Sequence, residues 1–284
     1  MGYTCRLLRS GGFKLDAGCM FGLIPRVVWT KWLEPDAENR MPLQQNTLLL
    51  EGEGRRVLIE PGIGDKFGPK ERGIYALEDR SVHDALREID CDPASIDAVV
   101  VTHLHFDHAG GLTRWHPDHE RSADRAVLSF PNAEIIVQER EWEDAIANKS
   151  TMHKTYLASH LTDEVAERAR LVEGDVEVLP GLRVVDCPGH TWGQQAVLFD
   201  SPDGTTNVFV PDVMPTRHHA RATTNLAYDV EPYTSMVQRM RMLELAADHD
   251  WTLILDHEPG HASFKASPDP EKAGVYNLEE TSVT

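Results

Sequence analysis

The sequence predicts an α/β fold whose strands present polar side chains at their ends. Short, mostly β-branched apolar segments alternate with segments of helical periodicity along the 284 residues. Metal-binding side chains follow several of these apolar segments in both halves of the chain. The chain has no low-complexity segment or linker, so we expect a single domain spanning residues 1–284. Periodicity alone does not distinguish a doubly wound sheet from two sheets packed face to face.

The composition is ordinary for a globular protein, but the charge is strongly negative. Hydrophobic residues make up 41% of the chain and charged residues 26%. The 46 acidic residues outnumber the 28 basic residues, and the formal net charge is −18. Such a surface repels phosphate groups. We therefore expect neither a nucleic acid nor a membrane as a partner.

Cysteine usage and the N-terminal residues predict a cytoplasmic protein. The four cysteines, Cys5, Cys19, Cys91 and Cys187, are scattered without a C-x-x-C pair. Scattered thiols are typical of a reducing compartment. The first ten residues lack the apolar core of a secretory signal, and no apolar segment reaches transmembrane length.

The first half of the chain is predicted to begin with strands. Residues 43–51 and 55–60 flank a Gly-Glu-Gly turn and should form a hairpin. Residues 81–89 have helical periodicity, and Ser81 is a suitable N-cap. Residues 98–101 form an apolar run that is typical of a strand buried on both faces.

The second half is predicted to alternate strands with helices. The predicted strands are residues 133–138, 181–186, 206–211 and 253–256, and the predicted helices are residues 139–147, 163–170 and 239–248. Thr162 can cap the second of these helices. From Ser263 onward the chain is polar and contains proline, so we expect a partly frayed tail.

Four metal-binding side chains follow the strand at 98–101: His103, His105, Asp107 and His108. If the chain leaves the strand in a loop, the first two converge on one cation and the last two face a second cation. Imidazole and carboxylate ligands favour zinc, with manganese, iron or cobalt as alternatives. A row of surface histidines is the other interpretation, and this spacing after a buried strand disfavours it.

Residues 102–111, Thr-His-Leu-His-Phe-Asp-His-Ala-Gly-Gly, resemble the H-x-H-x-D-H motif of the metallo-β-lactamase superfamily. The resemblance extends over most of the chain and is closest to the quorum-quenching lactonase branch, which includes the acyl-homoserine lactonases and YtnP-like proteins. It implies an αββα sandwich, in which two sheets pack face to face between helices. It also implies two divalent metal ions per chain and allows a homodimer.

The resemblance implies three further metal ligands. His190, in Cys-Pro-Gly-His-Thr, matches the third ligand of the first metal. Asp212, after the strand at 206–211, matches a carboxylate that bridges both metals, although Pro211 replaces the usual glycine. His257 matches the last ligand of the second metal. The implied sets are His103, His105 and His190 for one metal, Asp107, His108 and His257 for the other, and Asp212 for both.

A supporting carboxylate departs from the family pattern. Residues 57–64 resemble a strand that usually ends in Asp-Thr-Gly, but Glu60 and Pro61 replace the aspartate and the threonine. Glu60 still offers a carboxylate behind the ligands, one methylene longer.

The implied chemistry is hydrolysis by a hydroxide that bridges the two metals. Each cation lowers the pKa of the bound water toward neutrality, so no serine or cysteine nucleophile is needed. We expect attack on a lactone or ester carbonyl of the acyl-homoserine lactone type. Asp212 would fix the metal spacing, and Asp107 could pass a proton to the departing alkoxide. The alternatives are a phosphotriesterase similar to methyl parathion hydrolase, another small-molecule ester hydrolase of this fold, and a metal-binding module without turnover.

One departure concerns the small-molecule substrate. Acyl-homoserine lactonases commonly have a tyrosine three residues after the bridging aspartate, where this chain has Pro215. The following Thr-Arg-His-His resembles the YtnP-like pattern. We therefore predict that His218 or His219 supplies the hydrogen bond to the substrate.

An apolar pocket is expected beside the metals. The side chains predicted to form it are Met20, Phe21, Phe106 and Trp192. Such a wall suits an acyl chain better than a charged nucleotide. By the resemblance, residues 149–172, with Met152, His153, Tyr156 and His160, form an insertion that covers the substrate, and Trp29 and Trp32 are candidates for a subunit contact.

Overall fold

Two β-sheets stack face to face, and helices cover the outer face of each. This computed structural model describes residues 2–116, 126–152 and 154–283, so His153 of the insertion lies outside the described residues. The αββα sandwich that the family resemblance implies is confirmed, and the doubly wound sheet is excluded.

The elements are numbered here in chain order. The strands are β1 (Thr4–Asp16), β2 (Arg40–Gly52), β3 (Arg55–Ile59), β4 (Ala98–Val100), β5 (Thr113–Trp115), β6 (Ala126–Leu128), β7 (Glu134–Gln138), β8 (Ala169–Val172), β9 (Val176–Leu179), β10 (Leu182–Asp186), β11 (Gln195–Asp200), β12 (Thr206–Val210), β13 (Thr252–Leu255), β14 (Ser263–Pro268) and β15 (Tyr276–Glu280). The helices are α1 (Ala17–Phe21), α2 (Arg26–Trp29), α3 (Pro69–Ile74), α4 (Val82–Arg87), α5 (Phe106–Ala109), α6 (Glu139–Ile146), α7 (Asp163–Arg168) and α8 (Pro232–Asp248).

The strand order brings several strand ends to one edge of the sandwich. The first sheet has the order β1-β2-β3-β4-β7-β8, and the second has the order β15-β14-β13-β12-β11-β10-β9. Strands β3, β4, β7 and β8 run parallel, as do β12 and β13. Because parallel strands end at the same edge, the segments that follow β3, β4, β12 and β13 meet there.

Alternating side chains of the central strands fill two different cores. Val100 and Ile59 face the second sheet, where they meet Phe199 and Phe209 in the core between the sheets. Val99 points to the opposite face, into the core under the helices. All of these side chains are buried, which explains why β4 has no polar residue.

The outer layers consist of amphipathic helices. Helices α4 and α7 cover the first sheet through Leu86 and Val165. Helix α8 covers the second sheet through Leu243 and Ala246. The predicted caps are confirmed: Ser81 and Asp84 form a capping box at α4, and Thr162 accepts the Val165 N–H at α7.

Several predicted boundaries are wrong. Most of the tail is ordered, because β14 and β15 extend the second sheet at its edge, and Phe264 of β14 is fully buried. Helix α7 ends at Arg168, and the next four residues form β8, an edge strand of the first sheet. Polar edge strands show little apolar alternation, so the sequence pattern does not reveal them.

The four cysteines are all free thiols. Within residues 2–116, 126–152 and 154–283, none of the helices has the length and apolarity needed to span a bilayer.

Candidate metal centre

The metal motif occupies the loop and short helix after β4. His103, His105, Asp107 and His108 are all buried, and α5 begins at Phe106. The glycines that follow are required by close approach, because a Cβ at Gly110 would lie 2.2 Å from the Ile63 carbonyl oxygen. The loop after β3 therefore packs directly against the metal motif.

Three histidines form the first group of ligand atoms. One nitrogen from each of His103, His105 and His190 lies within 4.8 Å of the others. Nδ1 of His105 and Nε2 of His190 are 3.0 Å apart. Nε2 of His103 is buried and has no hydrogen-bond partner among the described residues.

Four side chains form the second group. Asp107, His108, Asp212 and His257 place one ligand atom each within 4.8 Å of the others. Nε2 of His257 lies 3.1 Å from Nε2 of His108 and 3.7 Å from Oδ2 of Asp107.

Asp212 lies between the two groups. Its Oδ2 is 3.2 Å from Nε2 of His190, and its Oδ1 is 3.3 Å from Nε2 of His257. One carboxylate thus contacts both groups, as a bridging ligand would. The structure brings together all seven residues that the sequence predicted as ligands.

The orientation of the histidine rings fits a metal site. On the outer side of the site, His108 donates through Nδ1 to Glu60 at 2.7 Å, and His190 donates through Nδ1 to Asp229 at 3.0 Å. His257 donates through Nδ1 to the Gln44 carbonyl at 3.0 Å. In a neutral imidazole, the other nitrogen then carries a lone pair. These lone pairs point into the site, and such oriented imidazoles are suited to hold two divalent cations.

Glu60 and Asp229 are carboxylates that accept hydrogen bonds from candidate ligand histidines, and the sequence revealed the first of them. Glu60 was predicted, and its backbone has a left-handed φ of 62°, which is uncommon for a residue other than glycine. Asp229 was missed because it lies in an irregular segment without a motif. Its second oxygen accepts the Leu226 N–H at 3.1 Å, so it joins that segment to His190.

The pKa shifts of the candidate ligands favour the binding of cations. Burial, together with the neighbouring imidazoles, lowers the pKa of His103 and His105 well below the usual value. Burial opposes ionisation of Asp212, but His257 and His190 outweigh it and hold that pKa well below its usual range. Burial also disfavours the His108 cation, but Glu60 and Asp107 raise its pKa well above the usual value. A cation bound there would displace the proton of His108.

A pocket that opens to solvent, with a cavity volume of about 110 Å³, adjoins both groups. Its lining is largely apolar, with two phenols and one lysine. The residues that form it are Leu15, Met20, Tyr75, His105, Phe106, Asp107, Ser150, Thr151, Met152, Lys154, Thr155, His190, Asp212, Leu226, Tyr228 and His257. The insertion therefore contributes one wall, and Met20 and Phe106 lie where the sequence predicted them.

The prediction that His219 contacts the substrate is wrong. His219 is fully buried behind the pocket wall, where its Nε2 donates to the Met20 carbonyl at 2.9 Å. Its Nδ1 accepts from the Thr216 hydroxyl at 2.9 Å, so both ring nitrogens are occupied. His218 does not line the pocket either, and its ring instead approaches the edge of Phe21 at 6.3 Å.

Three aromatic predictions also need correction. Phe21 is fully buried and stacks on His219 with ring centroids 5.5 Å apart, so it supports the wall without lining it. Trp29 also stacks on Phe21 and is 2% exposed, which leaves no surface for a subunit contact. Trp192 lies outside the lining, where it donates to Glu231 and carries Lys149 over its ring.

The chain is similar to known proteins over most of its length. The family model described as "Metallo-beta-lactamase superfamily" matches residues 40–257. N-acyl homoserine lactonase AiiA of Bacillus thuringiensis subsp. kurstaki is 28% identical over 207 residues, which cover 68% of this chain and 73% of the relative.

Two solved structures show the same fold. A probable metal-dependent hydrolase from Staphylococcus aureus is 29% identical and covers 99% of both chains with a TM-score of 0.86. AidC, a dizinc quorum-quenching lactonase solved with its product, is 15% identical and covers 100% of this chain and 98% of its own, with a TM-score of 0.77. At that identity the likeness to AidC shows the fold alone. The family match and the assembled ligand groups agree, and the chain belongs to the metallo-beta-lactamase superfamily.

Proposed function

We propose that this chain is a dinuclear metal-dependent hydrolase that opens lactones of the acyl-homoserine type. The observation that supports this most directly is the position of Asp212, whose two oxygens contact both ligand groups at the inner end of an apolar pocket. AiiA, a relative with 28% identity, is named an N-acyl homoserine lactonase.

The ligand groups would hold one cation each. His103, His105 and His190 form the first set, Asp107, His108 and His257 form the second, and Asp212 belongs to both. Zinc suits these nitrogen and carboxylate donors, with manganese, iron or cobalt as alternatives. Bound there, the two cations supply a water of lowered pKa and a Lewis acid for a carbonyl oxygen.

The pocket wall is suited to an acyl chain. Leu15, Met20, Phe106 and Leu226 present apolar surface beside the ligand groups. Burial of an alkyl chain against such side chains contributes roughly 0.8 kcal/mol per CH₂ group. The wall would also exclude bulk water from the reacting ester.

Two phenols replace the histidines that were predicted to bind the substrate. Tyr75 and Tyr228 line the pocket. Burial raises the pKa of both phenols, so each hydroxyl keeps its proton at neutral pH and can donate a hydrogen bond to a carbonyl or amide oxygen. Asp107 also lines the pocket, and it would take up the proton that the attacking hydroxide gives up and pass it to the alkoxide released from the ring.

A substrate panel tests this proposal. Protein with measured metal content would be assayed in a pH-stat with short-chain and long-chain homoserine lactones and with an aryl phosphotriester. We expect turnover of the lactones, with a lower KM for the longer acyl chains. High phosphotriester turnover without lactone opening would instead support the phosphotriesterase alternative. Absence of turnover with every substrate, at two metals per chain, would support a binding module.

A further inference from the structure

A buried glutamate lies just behind the first ligand group. Glu141 belongs to the first turn of α6 and is fully buried, although it is not a metal-ligand candidate. The loop that carries His190 packs directly against Glu141. A Cβ at Gly193 of this loop would lie 2.2 Å from the Glu141 nitrogen. A buried carboxylate requires hydrogen-bond donors to offset its desolvation.

Three donors surround the Glu141 carboxylate. Its Oε1 accepts from the Leu104 N–H at 2.9 Å and from the Tyr156 hydroxyl at 3.1 Å. Its Oε2 accepts from the Thr191 hydroxyl at 2.6 Å. A carboxylate satisfies three donors, whereas an amide would turn its NH₂ group toward at least one of them.

Two of these donors come from the segments that carry the first ligand group. Leu104 lies between His103 and His105, and Thr191 follows His190. Glu141 therefore connects two loops that are far apart in sequence and that supply all three histidines of that group.

The third donor, Tyr156, belongs to the insertion and connects it to the Glu141 carboxylate. The Tyr156 ring lies 5.1 Å from the His105 ring. The Thr155 carbonyl accepts the Phe106 N–H at 2.9 Å. His160, at the far end of this segment, donates through Nε2 to the Leu104 carbonyl at 3.2 Å. Residues 150–152, 154 and 155, which form one wall of the pocket, are thus held to the metal motif from behind.

We propose that Glu141 is a positioning residue that sets the three histidines of the first ligand group relative to one another and couples them to the pocket wall formed by residues 150–152, 154 and 155. The proposal rests on the proposed dinuclear centre. Neither the family motif nor the ligand groups include this residue. Its role is separate from catalysis, because Glu141 does not line the pocket.

Cobalt binding tests the proposal without an activity assay. Co²⁺ alone would be titrated into metal-free protein, and the visible absorption bands would report both affinity and ligand geometry. We expect Glu141→Gln to weaken binding at one site by about 10- to 100-fold and to change its absorption bands, since loss of a partner behind the ligands has effects of this size. Glu143→Gln is the matched control, because Glu143 is exposed on the same helix.

Thr191→Val provides the same test if Glu141→Gln does not fold. Thr191→Val keeps the shape of the side chain and removes one donor, so we expect a smaller change in the same direction. Tyr156→Phe removes the contact with the insertion and should raise KM more than it lowers kcat. Wild-type cobalt affinity and absorption in both Glu141→Gln and Thr191→Val would overturn the proposal.

The same titration separates this proposal from the proposed function. If the wild-type protein binds two cobalt ions and opens no lactone, the substrate assignment fails and the comparison of variants still stands. If the wild-type protein binds no cobalt, both proposals are overturned.

Discussion

Nδ1 of His190 donates a hydrogen bond to Oδ1 of Asp229 at 3.0 Å, in a part of the protein from which water is largely excluded. This contact fixes which nitrogen of His190 faces the ligand group. The same carboxylate accepts the Leu226 N–H. Asp229 therefore binds both His190, a candidate ligand, and Leu226, which lines the pocket.

Asp229→Ala should therefore weaken metal binding without removing a ligand. With its outer partner lost, His190 can rotate or take the other tautomer, and the expected loss of affinity is about 10- to 100-fold. Competition with a zinc chelator of known affinity measures this. Asp248→Asn, at the exposed end of α8, serves as the control. An unchanged zinc affinity would show that His190 keeps its orientation without Asp229.

Asp212→Ala should abolish nearly all turnover while the fold persists. The Asp212 carboxylate contacts both ligand groups and would fix the distance between them. A displacement of catalytic groups by about 1 Å can lower the rate by roughly 100-fold. The measurement is kcat for lactone opening, with the circular dichroism spectrum and melting temperature as evidence of folding. Wild-type turnover in this variant would mean that another residue bridges the two groups.

Tyr228→Phe should impair the opening of lactones. A well-placed donor to a developing oxyanion contributes up to about 3–4 kcal/mol, and we expect less where metals already polarise the carbonyl. We therefore expect kcat/KM to fall by about 10-fold, on the assumption of roughly 1.4 kcal/mol lost. Tyr233→Phe is a matched control, because Tyr233 is 74% exposed and does not line the pocket. Equal losses in the two variants would exclude a specific role for Tyr228.

His219 should make the protein sensitive to acid. Burial lowers its pKa to about 3 in the folded protein, whereas an unfolded histidine titrates at about 6.5. Between these values the unfolded state binds the extra proton, so stability is lost as the pH falls from about 6.5 toward 3. From pH 7 to pH 5 this one residue should remove about 2 kcal/mol from the free energy of unfolding.

His219→Gln tests this assignment. Glutamine can replace both hydrogen bonds of the ring, to Met20 and Thr216, without titrating. Urea unfolding at pH 7 and pH 5 should show a smaller acid loss in the variant than in the wild type. His249→Gln, at an exposed position, should retain the full wild-type loss. Identical pH dependence in His219→Gln and the wild type would contradict the buried, neutral state of His219.

The seven candidate ligands could be predicted from the sequence because most of them follow predicted strands and match the family motif, and the structure brings them together. Asp212 and His257 lie two residues beyond the last residues of β12 and β13, which are parallel and end at the same edge. The motif after β4 reaches that edge in the same way. Hydrophobic runs mark such strands, and the family resemblance implied that His190, Asp212 and His257 belong to one site with the motif after β4.

Two of the residues behind the ligands, Asp229 and Glu141, were not predicted from the sequence. Asp229 lies in an irregular segment and Glu141 in a helix with mostly exposed acidic neighbours. Their contacts with His190 and Thr191 join residues 39 and 50 positions apart, and no local pattern encodes them. His219 and Phe21 were misplaced for a related reason, since one turn of helix does not reveal which face meets the pocket.

Lactone opening as a function of bound metal tests the central claim most directly. Metal-free protein would be reconstituted stepwise with zinc, and the turnover of a homoserine lactone would be plotted against zinc ions per chain measured by elemental analysis. The dinuclear hydrolase predicts that turnover reaches its maximum at two ions per chain and is lost on chelation. Full turnover at one ion or none, or no turnover at two, would contradict it.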